Sequence, residues 1–333
     1  MTTATTPPVW FERPVLPGVA ETIAASCTIV GPATADDPYA GVANAVAAVV
    51  GSGPYGETFL ERAPDLIVIA RTGIGYDAID VAAATRRGVA VCNTPDGPTI
   101  STAEHAVMLM LLVAKNVKAA ETALRTGAFS GYYARHHGME LEGKVLGLVG
   151  YGRIARHVGR IAGGLGMRIT TFDPYLAPEA VPADVGRAGT LEALLGQADV
   201  VSVHVPLTDD SREMFGAARF AAMKPGAVFI NTARGGLVDN DALLHALDQG
   251  RLLGAGLDVT SPEPLPVGHP LLDRDDVIVT PHVASATSDG KARILRAAFA
   301  QAMAVLAGHR PEHLVNPEVW ERIASTPNAG VRK

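Results

Sequence analysis

The feature that most constrains the fold of this chain is a repeated alternation of short apolar runs with stretches of helical periodicity. In the first hundred residues the apolar runs are bounded by Gly, Pro or Asn, which is typical of buried strands, and they cover residues 27–30, 45–50, 66–70 and 89–91. Helices are predicted between them at residues 15–25, 55–62 and 77–87. Strands that alternate with helices predict a parallel sheet, and hence the α/β class.

A second series of the same kind begins at Lys144. It predicts six further strands, at residues 145–150, 168–172, 200–205, 228–231, 256–259 and 277–280. The helices between them include residues 154–163, 191–195 and 239–249, the last with Asp239 as its N-cap. A long helix over residues 102–125, which Ser101 and Glu104 would begin as a capping box, joins the two series, and a last helix is expected at residues 291–306. We therefore expect two doubly wound sheets.

Composition excludes several classes of partner. The 333 residues are enough for two domains, and the net charge of −6 argues against a nucleic-acid-binding surface. The longest apolar run, residues 106–114, is too short to cross a bilayer, and the N-terminus does not resemble a secretory signal. Cys27 and Cys92 have no His or Cys neighbours at metal-ligand spacing, so we expect reduced thiols and no metal site. A cytoplasmic protein is predicted.

A glycine turn follows the first strand of the second series. The motif GYGRIA at residues 150–155 lies between a predicted strand and a predicted helix, which is the context that gives such a motif its meaning. Gly150 permits a tight turn, and Gly152 lets the backbone approach a pyrophosphate at the helix N-terminus. Asp173 ends the next predicted strand, where a carboxylate accepts hydrogen bonds from the ribose and repels the extra phosphate of NADP. With no Arg directly after Asp173, NAD is the predicted cofactor.

Three charged residues come just after predicted strands, where open α/β sheets bind their ligands. Arg234, Glu263 and His282 follow the strands at residues 228–231, 256–259 and 277–280. A guanidinium group can bind a carboxylate with two hydrogen bonds, and an imidazole can exchange a proton near neutral pH. A carboxylate beside the imidazole would fix its orientation. This set suits the reduction of a 2-oxo acid by a hydride.

These motifs, in this order and spacing, resemble the D-isomer-specific 2-hydroxyacid dehydrogenase family, and the likeness covers nearly the whole chain. Besides GYGRIA and the three charged residues, the sequences NTARGGLVD at 231–239, LDV at 257–259, PH at 281–282, RTGIGYD at 71–77 and NTP at 93–95 carry it. The resemblance implies a Rossmann NAD domain, residues 101–288, inserted into a flavodoxin-like substrate domain made of residues 1–100 and 289–333. It also implies a homodimer formed through the NAD domain.

The resemblance further implies roles for individual residues. Arg234, Glu263 and His282 would form the catalytic set, with Arg234 also binding substrate. Backbone groups of Gly73, Ile74 and Gly75 would hold the substrate carboxylate. Besides Gly150, Gly152 and Asp173, the cofactor contacts would be Thr94, Arg153, Ile154, His204, Val205, Thr232 and Asp258. Ala155 and Ala78 depart from residues that many relatives carry, Gly and Asn respectively.

The substrate and two alternative functions stay open. A short acid such as glyoxylate, hydroxypyruvate or phosphoglycerate is expected, but residues 51–56 contain no Lys or Arg for a phosphate group, and we expect no regulatory domain after residue 333. An NAD(H)-sensing protein or corepressor of the same fold is one alternative, which turnover would distinguish. A formate or phosphite dehydrogenase is the other, although a formate enzyme would carry Gln where Glu263 stands. The segment 132–137 is interpreted as a loop.

Overall fold

The computed structural model describes residues 6–325, and the chain forms two compact units. The first, here called the split unit, comprises Met1–Pro98 and Thr287–Lys333, and the second, the central unit, comprises Thr99–Ala286. Residues 1–5 and 326–333, which the sequence assigns to the substrate domain, lie outside the described residues. The central unit is thus a continuous piece of chain, with the split unit formed from the segments on either side of it.

Within the described residues, twelve strands and thirteen α-helices alternate. The strands are β1 Pro8–Phe11, β2 Thr28–Val30, β3 Ala47–Val50, β4 Val68–Arg71, β5 Ala90–Cys92, β6 Val145–Val149, β7 Arg168–Phe172, β8 Gly186–Arg187, β9 Val200–Val203, β10 Ala227–Asn231, β11 Leu252–Leu257 and β12 Val277–Val279. The helices are α1 Pro17–Ala24, α2 Glu57–Arg62, α3 Val81–Arg87, α4 Thr99–Ala114, α5 Val117–Arg125, α6 Tyr132–Arg135, α7 Arg153–Gly164, α8 Leu191–Gln197, α9 Ala217–Ala222, α10 Asn240–Asp248, α11 Pro270–Asp273, α12 Ser288–Leu306 and α13 Trp320–Ala324.

The split unit contains a five-stranded parallel sheet in the order β2-β1-β3-β4-β5. The central strand β3 is Ala-Ala-Val-Val and is buried along its whole length, as a strand covered on both faces must be. Helix α12 packs on β3 and β4 from the C-terminal segment of the chain, and its Ala298 and Ala302 are fully buried. The strand order reverses between β1 and β3, which is where open sheets of this kind form a ligand crevice.

The central unit contains a seven-stranded parallel sheet in the order β12-β11-β10-β9-β6-β7-β8. Strands β6, β9 and β10 are buried on both faces, which explains their almost wholly apolar sequences. The order reverses between β6 and β9, and the GYGRIA motif follows β6 directly. The predicted α/β class, with two doubly wound parallel sheets, is confirmed.

The prediction of one long helix at residues 102–125 was wrong. The structure has two helices, because Asn116 adopts a left-handed conformation (φ 49°) between α4 and α5. Helix α4 also begins three residues before the predicted start, at Thr99, so Ser101 lies inside it and the capping box was wrong as well. The N-cap at Asp239 is confirmed, since its side chain accepts hydrogen bonds from the N–H groups of Asp241 and Ala242.

Other elements also differ from the prediction. Strands β1 and β8 were not predicted, and the strand predicted at residues 256–259 runs instead over Leu252–Leu257. The segment interpreted as a loop at residues 132–137 contains the single-turn helix α6. Within the described part of the chain, no helix combines the length and apolar character that a membrane crossing requires.

Candidate active site

The GYGRIA turn leaves a helix N-terminus open beside the end of β6. Gly150 has a φ of +86°, and a Cβ atom there would lie 2.9 Å from the carbonyl oxygen of His204, so only glycine fits without strain. Gly152 is the N-cap of α7, and a Cβ atom on it would meet nothing within 4 Å. Ala155 is fully buried where the helix packs on the sheet. Arg153 and Ile154, predicted to meet the pyrophosphate, form the first turn of α7, where backbone N–H groups point away from the helix.

Asp173 stands at the mouth of this turn, directly after β7. One oxygen of its carboxylate accepts a hydrogen bond from the N–H of Tyr151 (3.0 Å), and the other accepts from the N–H of Tyr175 (3.0 Å). These two bonds fix the direction of the carboxylate. Asp173 lines an open pocket of about 490 Å³ that Arg187 of β8 also lines. The sequence pattern missed Arg187, because only the β7–β8 pairing brings it beside Asp173.

Further residues predicted to lie along the cofactor follow β9 and β10. Thr232 is 7% exposed, and its hydroxyl has no hydrogen-bond partner among the described residues. His204 Nε2 lies 2.9 Å from the hydroxyl of Ser202, and burial lowers the pKa of His204 to about 4, so its ring is neutral at physiological pH. Val205 lies against the turn, since a Cβ on Gly150 would be 2.9 Å from its Cγ1.

These features fit a bound dinucleotide. A buried hydroxyl without a partner is costly unless a ligand supplies the hydrogen bond, and among the described residues the hydroxyl of Thr232 is in that position. The open space at Gly152 leaves room for a pyrophosphate against the N-terminus of α7. Both positions lie at the carboxyl edge of the same sheet, so a single extended ligand could use them.

Glu263 and His282 are in direct contact in the central unit. Oε1 of Glu263 lies 2.6 Å from Nδ1 of His282, and both side chains are about one-third exposed (39% and 35%). The second oxygen of Glu263 faces the N–H of Thr260 at 3.4 Å. His282 has a φ of +53°, a conformation that a non-glycine residue holds only when its surroundings enforce it. The imidazole is therefore oriented through Nδ1.

Arg234 lies after β10, on a turn that packs against the loop of Glu263. Its carbonyl oxygen accepts from the side-chain amide of Asn231 (2.9 Å), and its Nη1 donates to the carbonyl of Ala233 (2.7 Å). A Cβ on Gly235 would come within 2.0 Å of the carbonyl carbon of Thr260, so the two backbones are in close contact. The structure thus joins Glu263 and His282 directly, and it connects the Arg234 turn to them through backbone packing.

Asp258 has a structural role that the sequence pattern did not indicate. It is 1% exposed, and its carboxylate accepts from the hydroxyl of Thr280 (2.6 Å) and from the N–H groups of Val283 (2.9 Å) and Ala284 (2.8 Å). Burial raises the pKa of Asp258, but hydrogen bonds from His105, Thr280 and the two backbone groups outweigh it and hold that pKa below its usual value. His105, on α4, was also missed, because nothing local in its sequence points to Asp258.

The residues predicted to bind the substrate carboxylate lie in the split unit, after β4. Gly73 has a φ of +146°, and its N–H donates to the hydroxyl of Thr94 (2.8 Å), while its carbonyl accepts from the N–H of Thr94 (2.9 Å). The carbonyl of Ile74 accepts from the side chain of Asn93 (2.7 Å). Since the N–H of Gly73 is already engaged, the backbone donors to consider for a ligand are those of Ile74 and Gly75.

Comparison with known proteins gives the family. The model of the D-isomer specific 2-hydroxyacid dehydrogenase NAD-binding domain matches residues 107–284, more than half of the chain. The chain belongs to this family. The family predicted from the sequence is confirmed, and the central unit contains a nicotinamide-dinucleotide-binding domain by the same match.

The relatives carry two different activity names. A glyoxylate reductase of Korarchaeum cryptofilum is 40% identical over 278 residues, which are 80% of this chain and 81% of that protein. A D-3-phosphoglycerate dehydrogenase of Methanocaldococcus jannaschii is 40% identical over 258 residues, 77% of this chain but 49% of that protein. The chain therefore spans about half the length of the phosphoglycerate dehydrogenase. The solved structure of the TT0316 protein from Thermus thermophilus is 36% identical, covers 92% of this chain and 99% of its own, and superposes with a TM-score of 0.84.

Proposed function

We propose that this protein is an NAD-dependent dehydrogenase that transfers a hydride between the nicotinamide ring and C2 of a small D-2-hydroxy or 2-oxo acid. The observation that carries the proposal is the 2.6 Å contact between Glu263 and His282 at the carboxyl edge of a dinucleotide-binding sheet. An oriented imidazole at that edge can supply the proton that hydride transfer to a ketone requires. Family membership supports the same reaction.

The chemistry divides among three side chains. When bound, the nicotinamide would supply or accept the hydride at its C4 carbon. Arg234 binds the substrate carboxylate and draws electron density from the neighbouring C2 carbonyl. His282, held through Nδ1 by Glu263, donates the proton on Nε2 to the developing C2 alkoxide during reduction and takes it back during oxidation. Glu263 stabilises the protonated imidazole by its charge. One 2-oxo acid, one NADH and one proton thus become one D-2-hydroxy acid and one NAD⁺.

The remaining cofactor and substrate roles are part of the same proposal. Backbone groups at Gly150, Gly152, Arg153 and Ile154 bind the pyrophosphate, and the hydroxyl of Thr232 donates to the cofactor. The carboxylate oxygen of Asp258 that accepts from the N–H of Ala284 can accept a second hydrogen bond. It is therefore proposed to accept one from the nicotinamide amide. The backbone N–H groups of Ile74 and Gly75 are proposed as donors to the substrate carboxylate.

NAD is favoured over NADP because the carboxylate of Asp173 is held in place by two backbone N–H groups and would repel a 2′-phosphate. Arg187 in the same pocket weakens this preference. We therefore expect activity with NADH to exceed activity with NADPH, with both measurable.

Glyoxylate or hydroxypyruvate suits the chain better than a phosphorylated acid. The loop after β3 contains no Lys or Arg, and the carboxylate of Glu12, at the end of β1, accepts a hydrogen bond from the N–H of Gly51 in that loop (2.5 Å). This carboxylate therefore lies at the crevice where the strand order of the split unit reverses. A phosphate group would be repelled there.

A homodimer formed through the central unit completes the proposal. Large apolar side chains are exposed along residues 108–133 of that unit, including Leu124 (66% exposed) and Tyr133 (97% exposed). Apolar surface of this kind is typical of protein–protein interfaces. Sedimentation should give a dimer, and Leu124→Asp should shift it toward the monomer; a wild-type monomer would refute this part.

A cytoplasmic location is proposed with it. Cys27 and Cys92 are buried free thiols, and burial raises the pKa of Cys27 to about 11 and that of Cys92 to about 12. Thiols in this state are unreactive, as expected of a protein that works in a reducing compartment.

The proposal is tested by following the hydride itself. NADH carrying deuterium at C4 should transfer the label to C2 of the product when glyoxylate or hydroxypyruvate is supplied, and the hydroxypyruvate product should be the D isomer. The alternative of an NAD(H) sensor predicts binding of NADH without label transfer. A formate or phosphite dehydrogenase would instead reduce NAD⁺ on addition of those donors and leave the 2-oxo acids unchanged.

A further inference from the structure

His105 is a partly buried imidazole that the reaction scheme does not use. It lies on α4, its side chain is 13% exposed, and its Nε2 lies 2.9 Å from the hydroxyl oxygen of Thr280 and 3.4 Å from Oδ1 of Asp258. These three residues come from α4, from the end of β12 and from the end of β11. The contact therefore joins one helix to the loop that leads to Glu263 and to the loop that leads to His282.

The direction of each hydrogen bond in this group follows from its chemistry. An ionised carboxylate only accepts, so the hydroxyl of Thr280 donates its single proton to Asp258 (2.6 Å). The oxygen of Thr280 can then only accept from His105, which requires a proton on Nε2 of that ring. Nε2–H also points toward Oδ1 of Asp258 at 3.4 Å. His105 is thus a donor that helps hold both acceptors in place.

Asp258 in turn holds the backbone that carries the reactive imidazole. Its carboxylate binds the N–H groups of Val283 and Ala284, and its own carbonyl oxygen accepts from the N–H of His282 (2.8 Å). His282 has a positive φ, which costs free energy and persists only where neighbouring bonds enforce it. A shift of the Asp258 carboxylate would therefore move the His282 backbone and loosen its contact with Glu263.

We propose that His105 is a positioning residue for the proton donor: through Thr280 and Asp258 it sets the backbone of His282, and hence the position of the imidazole on Glu263. This inference rests on the proposed function. It adds to the site a residue that is far away in sequence from each of the groups it acts on. It also gives a role to an imidazole that directly precedes the apolar run 106–114 of α4.

The test compares two substitutions of His105. Glutamine can place its amide N–H where Nε2–H lies, whereas leucine fills the space without a donor. His105→Leu should lower kcat for 2-oxo acid reduction by about tenfold or more with much less change in KM, because a misplaced proton donor affects the chemical step. His105→Gln should restore kcat to within about threefold of wild type. His309→Leu, an exposed histidine in the split unit, is the matched control.

Two further readouts separate positioning from general damage. With deuterated NADH, the isotope effect on kcat should rise in His105→Leu, because hydride transfer, to which proton donation is coupled, then limits the rate more strongly. In the protein without cofactor, the low-field proton resonance of the Glu263–His282 hydrogen bond, assigned by its loss in His282→Ala, should weaken in His105→Leu and persist in His105→Gln. If His105→Leu does not fold, Thr280→Val and Thr280→Ser give the same contrast, since serine keeps the hydroxyl and valine does not.

The outcomes are distinct. Unchanged kcat and an unchanged low-field resonance in His105→Leu, or in Thr280→Val, would overturn the inference while leaving the proposed function intact. Equal losses in His105→Leu and His105→Gln, together with weaker NADH binding, would show that His105 serves the fold alone. If the wild-type protein reduces no 2-oxo acid, the proposed function fails, and the resonance still reports on the positioning of His282.

Discussion

Replacing Glu263 by glutamine removes one charge and little else. Glutamine keeps an acceptor oxygen for Nδ1 of His282, so the orientation of the ring should survive. The lost contribution is the attraction between the carboxylate and the protonated imidazole, whose atoms lie 2.6 Å apart with both side chains about one-third exposed (39% and 35%). Two unit charges at about 4 Å interact by about 1 kcal/mol in water and about 4 kcal/mol near a protein surface. Solvent access at this site favours the lower part of that range, about 2 kcal/mol.

A loss of about 2 kcal/mol corresponds to a fall of about 30-fold in kcat/KM. The assay is steady-state NADH oxidation by glyoxylate and by hydroxypyruvate, with the NADH dissociation constant measured separately by nicotinamide fluorescence. Glu179→Gln, on an exposed residue of the same unit, is the control. The role assigned to Glu263 is refuted if Glu263→Gln stays within about twofold of wild type, or if its whole loss lies in NADH binding.

Four further substitutions test other parts of the protein. Asp173→Asn should raise the NADPH/NADH ratio of kcat/KM by about tenfold, and Arg187→Gln should lower it, because the two charges share one pocket; opposite signs in steady-state assays would contradict the cofactor assignment. Glu12→Gln should raise kcat/KM for phosphorylated hydroxypyruvate relative to hydroxypyruvate by about threefold, and no change in that ratio would remove Glu12 from substrate selection. His204, whose pKa burial lowers to about 4, takes up a proton more readily when unfolded, so its contribution to stability is complete above about pH 6.5 and falls as the pH drops toward 4. Between those values the free energy of unfolding of wild type should fall by up to about 3 kcal/mol more than that of His204→Gln in urea titrations, and parallel curves would show that His204 is not buried in this way.

Much of the fold was predictable because buried parallel strands have short, almost wholly apolar sequences. Strands β3, β6, β9 and β10 are covered on both faces and are almost wholly apolar, so each was predicted within a few residues. Strand β8 has only two residues, both exposed, and forms through pairing with β7 alone. Strand β1 is short and begins at a proline. Such elements carry too little local signal to be predicted.

The break between α4 and α5 escaped prediction for a different reason. Asparagine tolerates the left-handed conformation, but it also occurs within helices. The presence of Asn116 alone therefore does not predict a break in the helix. In the folded chain the carbonyl of Ala114, at the end of α4, accepts from the N–H of Met139 (2.6 Å) rather than continuing the helix. The end of α4 thus coincides with a hydrogen bond between residues that are 25 positions apart in the sequence.

Within the site, the sequence indicated residue types and strand ends but not contacts. Glu263 and His282 could be placed near each other because parallel strands share one carboxyl edge. The positive φ of His282 and the hydrogen bonds that impose it could not be predicted. They depend on the contacts between the carboxylate of Asp258 and the loop backbone at Val283 and Ala284. His105 and Arg187 were missed for the same reason: their partners are close only after folding.

The proposed function depends most on His282 delivering the proton that accompanies hydride transfer. The most direct measurement compares wild type and His282→Ala in NADH oxidation by glyoxylate and hydroxypyruvate, with NADH binding measured on the same samples. We predict clear turnover by wild type, nearly complete loss of kcat in His282→Ala, and NADH dissociation constants that agree within about threefold. Full activity in His282→Ala would contradict this role for the imidazole.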